Sequence, residues 1–198
     1  CNQLIASTAA SFVQRNPEQL KKSVYSKRSA ISRSVRIIPI EVEWGKPSFA
    51  NACGKLLNRL NGFAQKLAPQ WQSERSVKLK VLILSRYNLT NPYKGEPPQF
   101  SHLEISSLTF HRSKGLEADY TILLDVSEGN YGVPSQIEDD ELLHLVIPVP
   151  ETFPYAEERR LFYVALTRAS RGVFILCNQA RPSRYIGELD AIAGASIQ

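Results

Sequence analysis

The chain has 198 residues, of which 43% are hydrophobic, and its formal net charge at pH 7 is +5. This length suffices for one ordinary α/β domain with its own core and is too short for two. Three widely spaced cysteines give neither a metal-binding pattern nor a disulfide framework, which fits a reducing cytoplasm. No stretch of about 18 apolar residues and no charged-then-apolar leader is visible, which argues against a membrane span and a signal peptide. Because the chain lacks methionine and begins with Cys1, we expect it to be part of a longer protein.

The first helix is predicted over residues 4–13, where apolar side chains recur with a helical period until Asn16 and Pro17. Residues 21–34 are polar, rich in serine and basic, and an acidic run follows much later at residues 138–141. A solvated connection is the ordinary interpretation of such a basic segment. Contact with a phosphate backbone is the alternative.

A strand and a long helix are predicted next. Residues 35–42 favour a strand, and Pro39 predicts an edge position because it cannot donate to a ladder. Residues 47–69 keep the helical period from Pro47 to Pro69. Cys53 falls on the apolar face of this helix, which predicts a core residue without chemistry.

Residues 80–85 form a short continuous apolar run, as expected for a strand that is buried on both faces of a parallel sheet. Arg86 and Tyr87 follow it directly. Ligands of open α/β sheets collect outside the carboxyl ends of strands, so Arg86 is a candidate ligand residue, with a turn-capping role as the alternative. Residues 91–100 are loop by composition.

A strand over residues 102–110 leads into the segment TFHRSKGLE at residues 109–117, and residues 121–126 predict a further strand. Thr109 and His111 lie at or past a strand end and can offer a hydroxyl and an imidazole to a phosphate-sugar backbone. A structural hydrogen bond is the alternative for His111 taken alone. Gly115 permits a positive φ or a close backbone approach, and we expect it to open a short helix with free amides.

The segment SEGNYG at residues 127–132 predicts a turn, in which Tyr131 could stack on a base or pack locally. Residues 133–154 are irregular and flanked by prolines. Phe153 and Tyr155 are predicted to form a hydrophobic staple before the next helix.

The segment EERRLFYVALTRA at residues 157–169 predicts a buried helix, with acidic residues in its first turn and Arg168 and Arg171 near its end. The stem of Arg168 leaves the apolar face where another aliphatic residue would be expected. This position predicts an anionic ligand, and pairing with backbone carbonyls is the alternative. A strand over residues 173–177 and a helix over residues 183–192 complete a pattern typical of a parallel sheet with helices on both faces.

The segments TFHRSKGLE and EERRLFYVALTRA resemble motifs V and VI of the UvrD/Rep-type superfamily 1 DNA helicases, most closely the helicase IV-like branch. The resemblance covers about residues 1–189 and implies a second, C-terminal RecA-like motor domain that occupies residues 1–198. Residues 91–100 would be a short loop where relatives carry an inserted subdomain. The tyrosine-arginine pair of motif IV is absent.

The resemblance also implies roles for individual residues. Arg168 would be an arginine finger for ATP, and Glu117 would lie beside the ribose of the nucleotide. Gly115 and Arg86 would belong to the ATP side as well. The residues implied on the side of single-stranded DNA are Thr109, His111, Glu128 and Tyr131.

Two expected parts of a motor are missing from the sequence. It contains no G-x-x-x-x-G-K-[ST] phosphate loop and nothing that resembles the Mg²⁺-binding acidic pair of the family. The resemblance therefore implies that ATP and Mg²⁺ are bound mainly by an N-terminal RecA-like domain of the same protein, and that this chain alone is inactive.

The function that the resemblance implies is ATP-driven movement, in the 3′ to 5′ direction, along single-stranded or partly duplex DNA, without a membrane partner. The competing hypothesis is a module of helicase ancestry that binds nucleic acid or a protein without motor activity. The presence of both Glu117 and Arg168 favours the motor, since a purely structural motif could lose these polar ends.

Overall fold

The computed structural model describes residues 1–20, 24–43, 48–71, 78–93, 95–137 and 152–193. At its centre lies a five-stranded sheet, all parallel, in the order β1-β5-β4-β2-β3. The strands are β1 Val35–Ile40, β2 Leu79–Ser85, β3 Leu103–Thr109, β4 Ala118–Leu123 and β5 Ala169–Asn178. The α-helices of the described part are α1 Gln3–Val13, α2 Ser48–Trp71, α3 Ala156–Leu166 and α4 Arg184–Ala193.

Helices cover both faces of the sheet. On one face, α1, α3 and α4 meet through the aromatic rings of Phe12, Phe162 and Tyr185, whose centroids lie 4.9 to 5.4 Å apart. On the other face, α2 packs against the sheet through Cys53, Leu57 and neighbouring residues. Successive strand residues belong alternately to the two core clusters, as the period of a strand requires. The prediction of an α/β fold with helices on both faces of a parallel sheet is confirmed.

Several individual elements are also confirmed. The first helix, the apolar strand β2 and the final helix lie where the sequence predicted them, and β1 occupies an edge of the sheet. Cys53 is fully buried, and burial raises the pKa of its thiol to about 12, although a hydrogen bond with Tyr93 lowers it. The predicted core role of Cys53 is therefore confirmed.

Other boundaries differ from the predicted ones. The long helix α2 continues to Trp71, whereas the sequence predicted an end at residue 69. The strands β4 and β5 begin three and four residues earlier than predicted, because Ala118 and Ala169 already pair with each other. Helix α3 ends at Leu166 instead of residue 169.

The basic connection is hydrogen-bonded to the start of α1 where it is described. The Ser26 backbone N–H donates to Gln3 Oε1 at 2.7 Å, and the Ser26 hydroxyl donates to the Cys1 carbonyl at 2.7 Å. Lys21, Lys22, the predicted helix start at Pro47 and the acidic run 138–141 lie outside the described residues. Across the described part of the chain, no helix combines the length and hydropathy needed to cross a membrane.

Candidate functional site

Two of the predicted site residues lie together where β4 and β5 begin, which we call the amino edge of the sheet. Ala118 of β4 is in register with Ala169 of β5, so the preceding residues, Glu117 and Arg168, flank the same point. The Ala118 backbone N–H donates to the Arg168 carbonyl at 3.0 Å. A residue of each predicted motif is thus fixed beside the other by the sheet itself.

Arg168 lies in the turn between α3 and β5, one residue after the C-cap Thr167, whose backbone N–H still donates to the Tyr163 carbonyl at 3.1 Å. The Thr167 hydroxyl shares the carbonyls of Tyr163 and Val164, each at 3.0 Å. A hydroxyl can bond such carbonyls three or four residues before it in a helix. The expectation that Arg168 lies within the helix was wrong.

The guanidinium of Arg168 donates only to neutral oxygens among the described residues. Its Nε donates to the Val164 carbonyl at 2.9 Å, its Nη1 to the Leu116 carbonyl at 3.1 Å and its Nη2 to the Thr167 hydroxyl at 3.2 Å. These are the backbone contacts that the alternative interpretation predicted. They fix the side chain without neutralising its charge, and Arg168 stays partly exposed.

Arg171 behaves differently from Arg168 although it lies only three residues away. It belongs to β5 and not to the end of a helix, which corrects the predicted position. Its Nε donates to Asp119 Oδ1 at 3.0 Å, which forms an ion pair across the amino edge. The neighbouring cation is thus already paired with a carboxylate.

Gly115 and Glu117 complete the amino edge. Gly115 has φ of 84°, a positive value that favours glycine. The short helix that we expected after Gly115 is absent from this described segment, since a 3-10 turn, His111–Ser113, precedes it and β4 follows. The expected set of free helix amides was therefore wrong. Glu117 is exposed and directly precedes β4.

The second group of predicted residues lies at the opposite, carboxyl edge, where β2, β3 and β4 end. Thr109 is the last residue of β3 and pairs with Ser85 at the end of β2. Phe110 is buried, whereas Thr109 is half-buried and His111 is exposed. The backbone N–H of Arg112 donates to the Thr109 hydroxyl at 3.4 Å. Both polar side chains therefore border solvent at this edge.

The loop after β4, residues 127–135, brings Glu128 and Tyr131 to the same edge. Glu128 is exposed, and its backbone N–H donates to the Arg181 carbonyl at 3.0 Å. Tyr131 is 51% exposed and meets the ring of Tyr87 edge to face, with the centroids 5.6 Å apart. Tyr131 thus packs on a neighbouring ring, as the local-packing interpretation predicts, and keeps the exposed ring surface that base stacking requires.

Glycine and aspartate give this part of the chain its shape. A Cβ at Gly132 would lie 2.1 Å from the Ser127 carbonyl oxygen, so the backbone leaves no room for a side chain. Asp125 has φ of 53°, and burial raises the pKa of its carboxyl, although a hydrogen bond with Ser127 and the charge of Arg181 lower it.

Arg86 is separated from the other residues that the sequence assigned to ATP. It follows β2 at the carboxyl edge, whereas Glu117 and Arg168 lie at the amino edge. Its guanidinium forms an ion pair with Glu158 of α3, with Nη2 to Oε1 at 2.6 Å and Nε to Oε1 at 2.9 Å. The structure therefore groups Arg86 with α3 instead of with Arg168.

Sequence reasoning missed Arg159, which is only 4% exposed. Its guanidinium donates to both Glu188 oxygens, at 2.5 and 2.9 Å, and to the Phe12 carbonyl at 3.1 Å. It also lies over the rings of Phe12, Phe153 and Tyr185, at 4.6 to 5.3 Å from their centroids. No local pattern identifies this arginine as buried, since its carboxylate partner is on another helix.

The start of α3 also departs from the predicted hydrophobic staple. Phe153 contacts the guanidinium of Arg159. Tyr155 is 36% exposed with φ of 56°, and its ring lies under Arg184. Phe153 and Tyr155 thus each contact an arginine.

Among the residues that the structure describes, no three His, Cys, Asp or Glu side chains are grouped as metal ligands would be.

Comparison with known proteins gives consistent matches. The family model described as the UvrD-like helicase C-terminal domain matches residues 8–180. DNA helicase IV of Escherichia coli K12 is 33% identical over 187 residues, which are 93% of this chain and 24% of that protein. The ATP-dependent DNA helicase Rep of the same strain is 29% identical over 117 residues, 54% of this chain and 16% of that protein.

Among solved structures, the C-terminal domain of a possible DNA helicase from Lactobacillus plantarum WCFS1 matches with a TM-score of 0.44 and 16% identity, covering 96% of this chain and 92% of that one. The chain spans about a quarter or less of the length of the two curated helicases above, at 24% and 16%.

Proposed function

Because this chain belongs to the UvrD-like helicase C-terminal domain family, we propose that it is the second motor domain of an ATP-dependent DNA helicase in which Arg168 acts as an arginine finger. One observation carries the proposal. The guanidinium of Arg168 is fixed by three neutral oxygens at a partly exposed edge, and no carboxylate of the described residues neutralises it. A fixed cation of this kind suits an anion that a partner domain presents.

On the nucleotide side, Arg168 would present its charge to the γ-phosphate, and Glu117 would accept hydrogen bonds from the ribose. Bound ATP supplies the phosphoryl group that is transferred, and catalysis of such transfer is mostly positioning and stabilisation of charge. Hydrogen bonds from Arg168 to Val164 and Leu116 hold the guanidinium before any ligand arrives. Gly115 supports this by shaping the segment that ends at Glu117.

The amino edge, as far as the structure describes it, fits a nucleotide only in part, since Arg168 and the exposed Glu117 lie there but the sequence has no phosphate loop. We therefore assign the main ATP and Mg²⁺ contacts to an N-terminal motor domain of the whole protein. Closing the cleft between the two domains would bring Arg168 to the phosphate.

On the DNA side, Thr109 and His111 would contact the sugar-phosphate backbone of single-stranded or partly duplex DNA. Glu128 would lie along the DNA path through its backbone, and the exposed ring of Tyr131 would stack on a base. Base stacking contributes about 1 to 3 kcal/mol in proteins that bind single strands. We take movement to be 3′ to 5′. The ion pair with Glu158 favours a positioning role for Arg86 over direct contact with ATP.

The test is DNA-stimulated ATP hydrolysis by the full-length protein with Arg168→Ala. Turnover should fall about 10³- to 10⁵-fold, since a finger contributes this much in other phosphoryl-transfer systems. ATP and DNA binding should be largely retained. Arg112→Ala is the matched control, because Arg112 is exposed and has no assigned role, and it should keep near wild-type turnover.

Substantial residual turnover in Arg168→Ala would refute the finger. If the wild-type protein itself hydrolyses no ATP with single-stranded DNA present, the motor fails. The chain is then better described as a binding module of helicase ancestry.

A further inference from the structure

The ion pair between Arg86 and Glu158 joins the end of β2 to the first turn of α3. Three N–H···O contacts of 2.6 to 3.0 Å link the guanidinium to the carboxylate. Each side chain is 14% exposed, so water screens the pair weakly. A guanidinium fork on a carboxylate fixes geometry as well as charge, which makes this a precise joint between the two elements.

The same carboxylate is bonded to the loop of residues 127–135. The Ser135 backbone N–H donates to Glu158 Oε2 at 3.1 Å, and the Ser135 hydroxyl lies 2.7 Å from the hydroxyl of Tyr87. The Ser135 hydroxyl also lies 3.2 Å from the Asn130 carbonyl. Since Tyr131 packs on Tyr87, whose hydroxyl meets Ser135, the loop proposed to meet DNA contacts Glu158 directly through the Ser135 backbone and indirectly through Tyr87.

Helix α3 connects this joint to Arg168. Its 11 residues span about 16 Å, from the carboxyl edge to the amino edge. The last turn of α3 supplies the Val164 carbonyl that holds the Arg168 Nε. Helix α3 is therefore a continuous link between Glu158 in its first turn and the carbonyl that holds Arg168 in its last turn.

We propose that Glu158 and Arg86 are positioning residues that couple DNA on the loop 127–135 to the placement of Arg168. The proposal rests on the proposed function and deepens it. DNA that moves Tyr131 shifts Ser135 relative to Glu158, and α3 carries the shift to the guanidinium. Glu158 and Arg86 touch neither DNA nor ATP in this scheme.

The experiment compares Glu158→Gln with Glu157→Gln in the full-length protein, measuring ATP turnover with and without single-stranded DNA. Glutamine keeps the shape of Glu158 and can still accept from Ser135, but it loses the charge that Arg86 holds. The ratio of stimulated to basal kcat should fall about 3- to 30-fold, as for substitutions along coupling networks. Basal kcat and the KM for ATP should change little. Glu157 is the exposed neighbour in the same turn, and its substitution should leave the ratio unchanged.

A double variant tests whether the two side chains act as one unit. If they do, Arg86→Gln combined with Glu158→Gln should lower the ratio no further than the Glu158→Gln change alone. Tyr87→Phe removes only the hydroxyl next to Ser135 and should lower the ratio in the same direction by a smaller factor. If thermal melting shows that Glu158→Gln does not fold, Tyr87→Phe is the variant that tests the coupling.

A ratio that stays unchanged, whether turnover is unaffected or falls equally with and without DNA, would overturn the coupling and leave the ion pair a purely structural contact. In either case the wild-type protein still responds to DNA, so the motor assignment stands. Absence of any DNA-stimulated hydrolysis by the wild type would instead overturn the proposed function and the coupling together.

Discussion

The arginines at the two ends of α3 differ in what surrounds them. Arg159, near the start, is 4% exposed, pairs with Glu188 and lies against three aromatic rings. Arg168, just past the end, is partly exposed and contacts neutral oxygens in the described part of the chain. One guanidinium has its charge compensated inside the domain, and the other has no carboxylate partner among the described residues.

This contrast concerns how each charge is compensated. The carboxylate of Glu188 holds Arg159 inside the domain, and such a pair is costly to separate. Backbone carbonyls orient the guanidinium equally well but leave its full positive charge.

Arg159→Ala should give the largest loss of stability. Removing the arginine leaves the partly exposed Glu188 with the longer contact to Arg15 at 3.4 Å, so we expect a loss near the lower end of the range for such pairs, about 3 kcal/mol. The free energy of unfolding of the 198-residue chain, from urea denaturation, measures the effect. Arg168→Ala is the matched control and should cost less, about 1.5 to 3 kcal/mol, since its hydrogen bonds are charge-assisted but its removal leaves no buried carboxylate unpaired. Equal losses of unfolding free energy for the two variants would show that the carboxylate partner of Arg159 adds no stability.

Gly132→Ala should destabilise the carboxyl edge by about 1 to 3 kcal/mol, as overpacking does, because the new Cβ would meet the Ser127 carbonyl oxygen at 2.1 Å. Gly115→Ala at the amino edge is the comparison. A Cβ at Gly115 would meet no atom within 4 Å, so the cost comes from the φ of 84° alone and is about 1 to 2 kcal/mol. Thermal unfolding of both variants measures the difference. A larger loss at Gly115 would mean that backbone conformation, and not close packing, limits both edges.

Asp125→Asn should give the smallest effect, and this effect should depend on pH. Burial raises the pKa of the folded carboxyl above 3.8, so its stabilising contribution is complete below pH 3.8 and is lost as pH rises through the folded pKa. The amide is neutral throughout and tolerates the positive φ of this position. Relative to wild type, the variant should therefore be more stable at pH 7 than near pH 4 in urea denaturation. A stability difference that is the same at both pH values would contradict the assigned cause.

Local patterns predicted much of this fold because they depend on neighbours in sequence. The apolar run of β2 and the period of α1 gave correct elements, and Pro39 correctly indicated an edge strand. The end of α3 was missed because the chain leaves the helix at Thr167 to begin β5 at Ala169, and the apolar period runs through this boundary unchanged. The sequence therefore predicted the types of the helices and strands better than their ends.

Only part of the candidate site could be predicted from the sequence. The sequence motifs indicated Glu117 and Arg168, and the register of β4 and β5 sets them side by side. The partners of Arg86 and Arg159 are 72 and 29 residues away, and no local pattern encodes such pairs. Arg86 was consequently assigned to the nucleotide because of its place after a strand, although its carboxylate partner lies on α3.

The strand order has a consequence for how the chain is made. β5 is the last of the described strands in chain order but lies inside the sheet, pairing with β1 on one side and β4 on the other. During synthesis on the ribosome, β1 and β4 must therefore wait with open edges until residue 178 has emerged. Open apolar edges invite pairing with other chains, and long-range closure is slow. We expect protection of these waiting strands by chaperones to govern the yield of folded protein more than the stability of the finished sheet does.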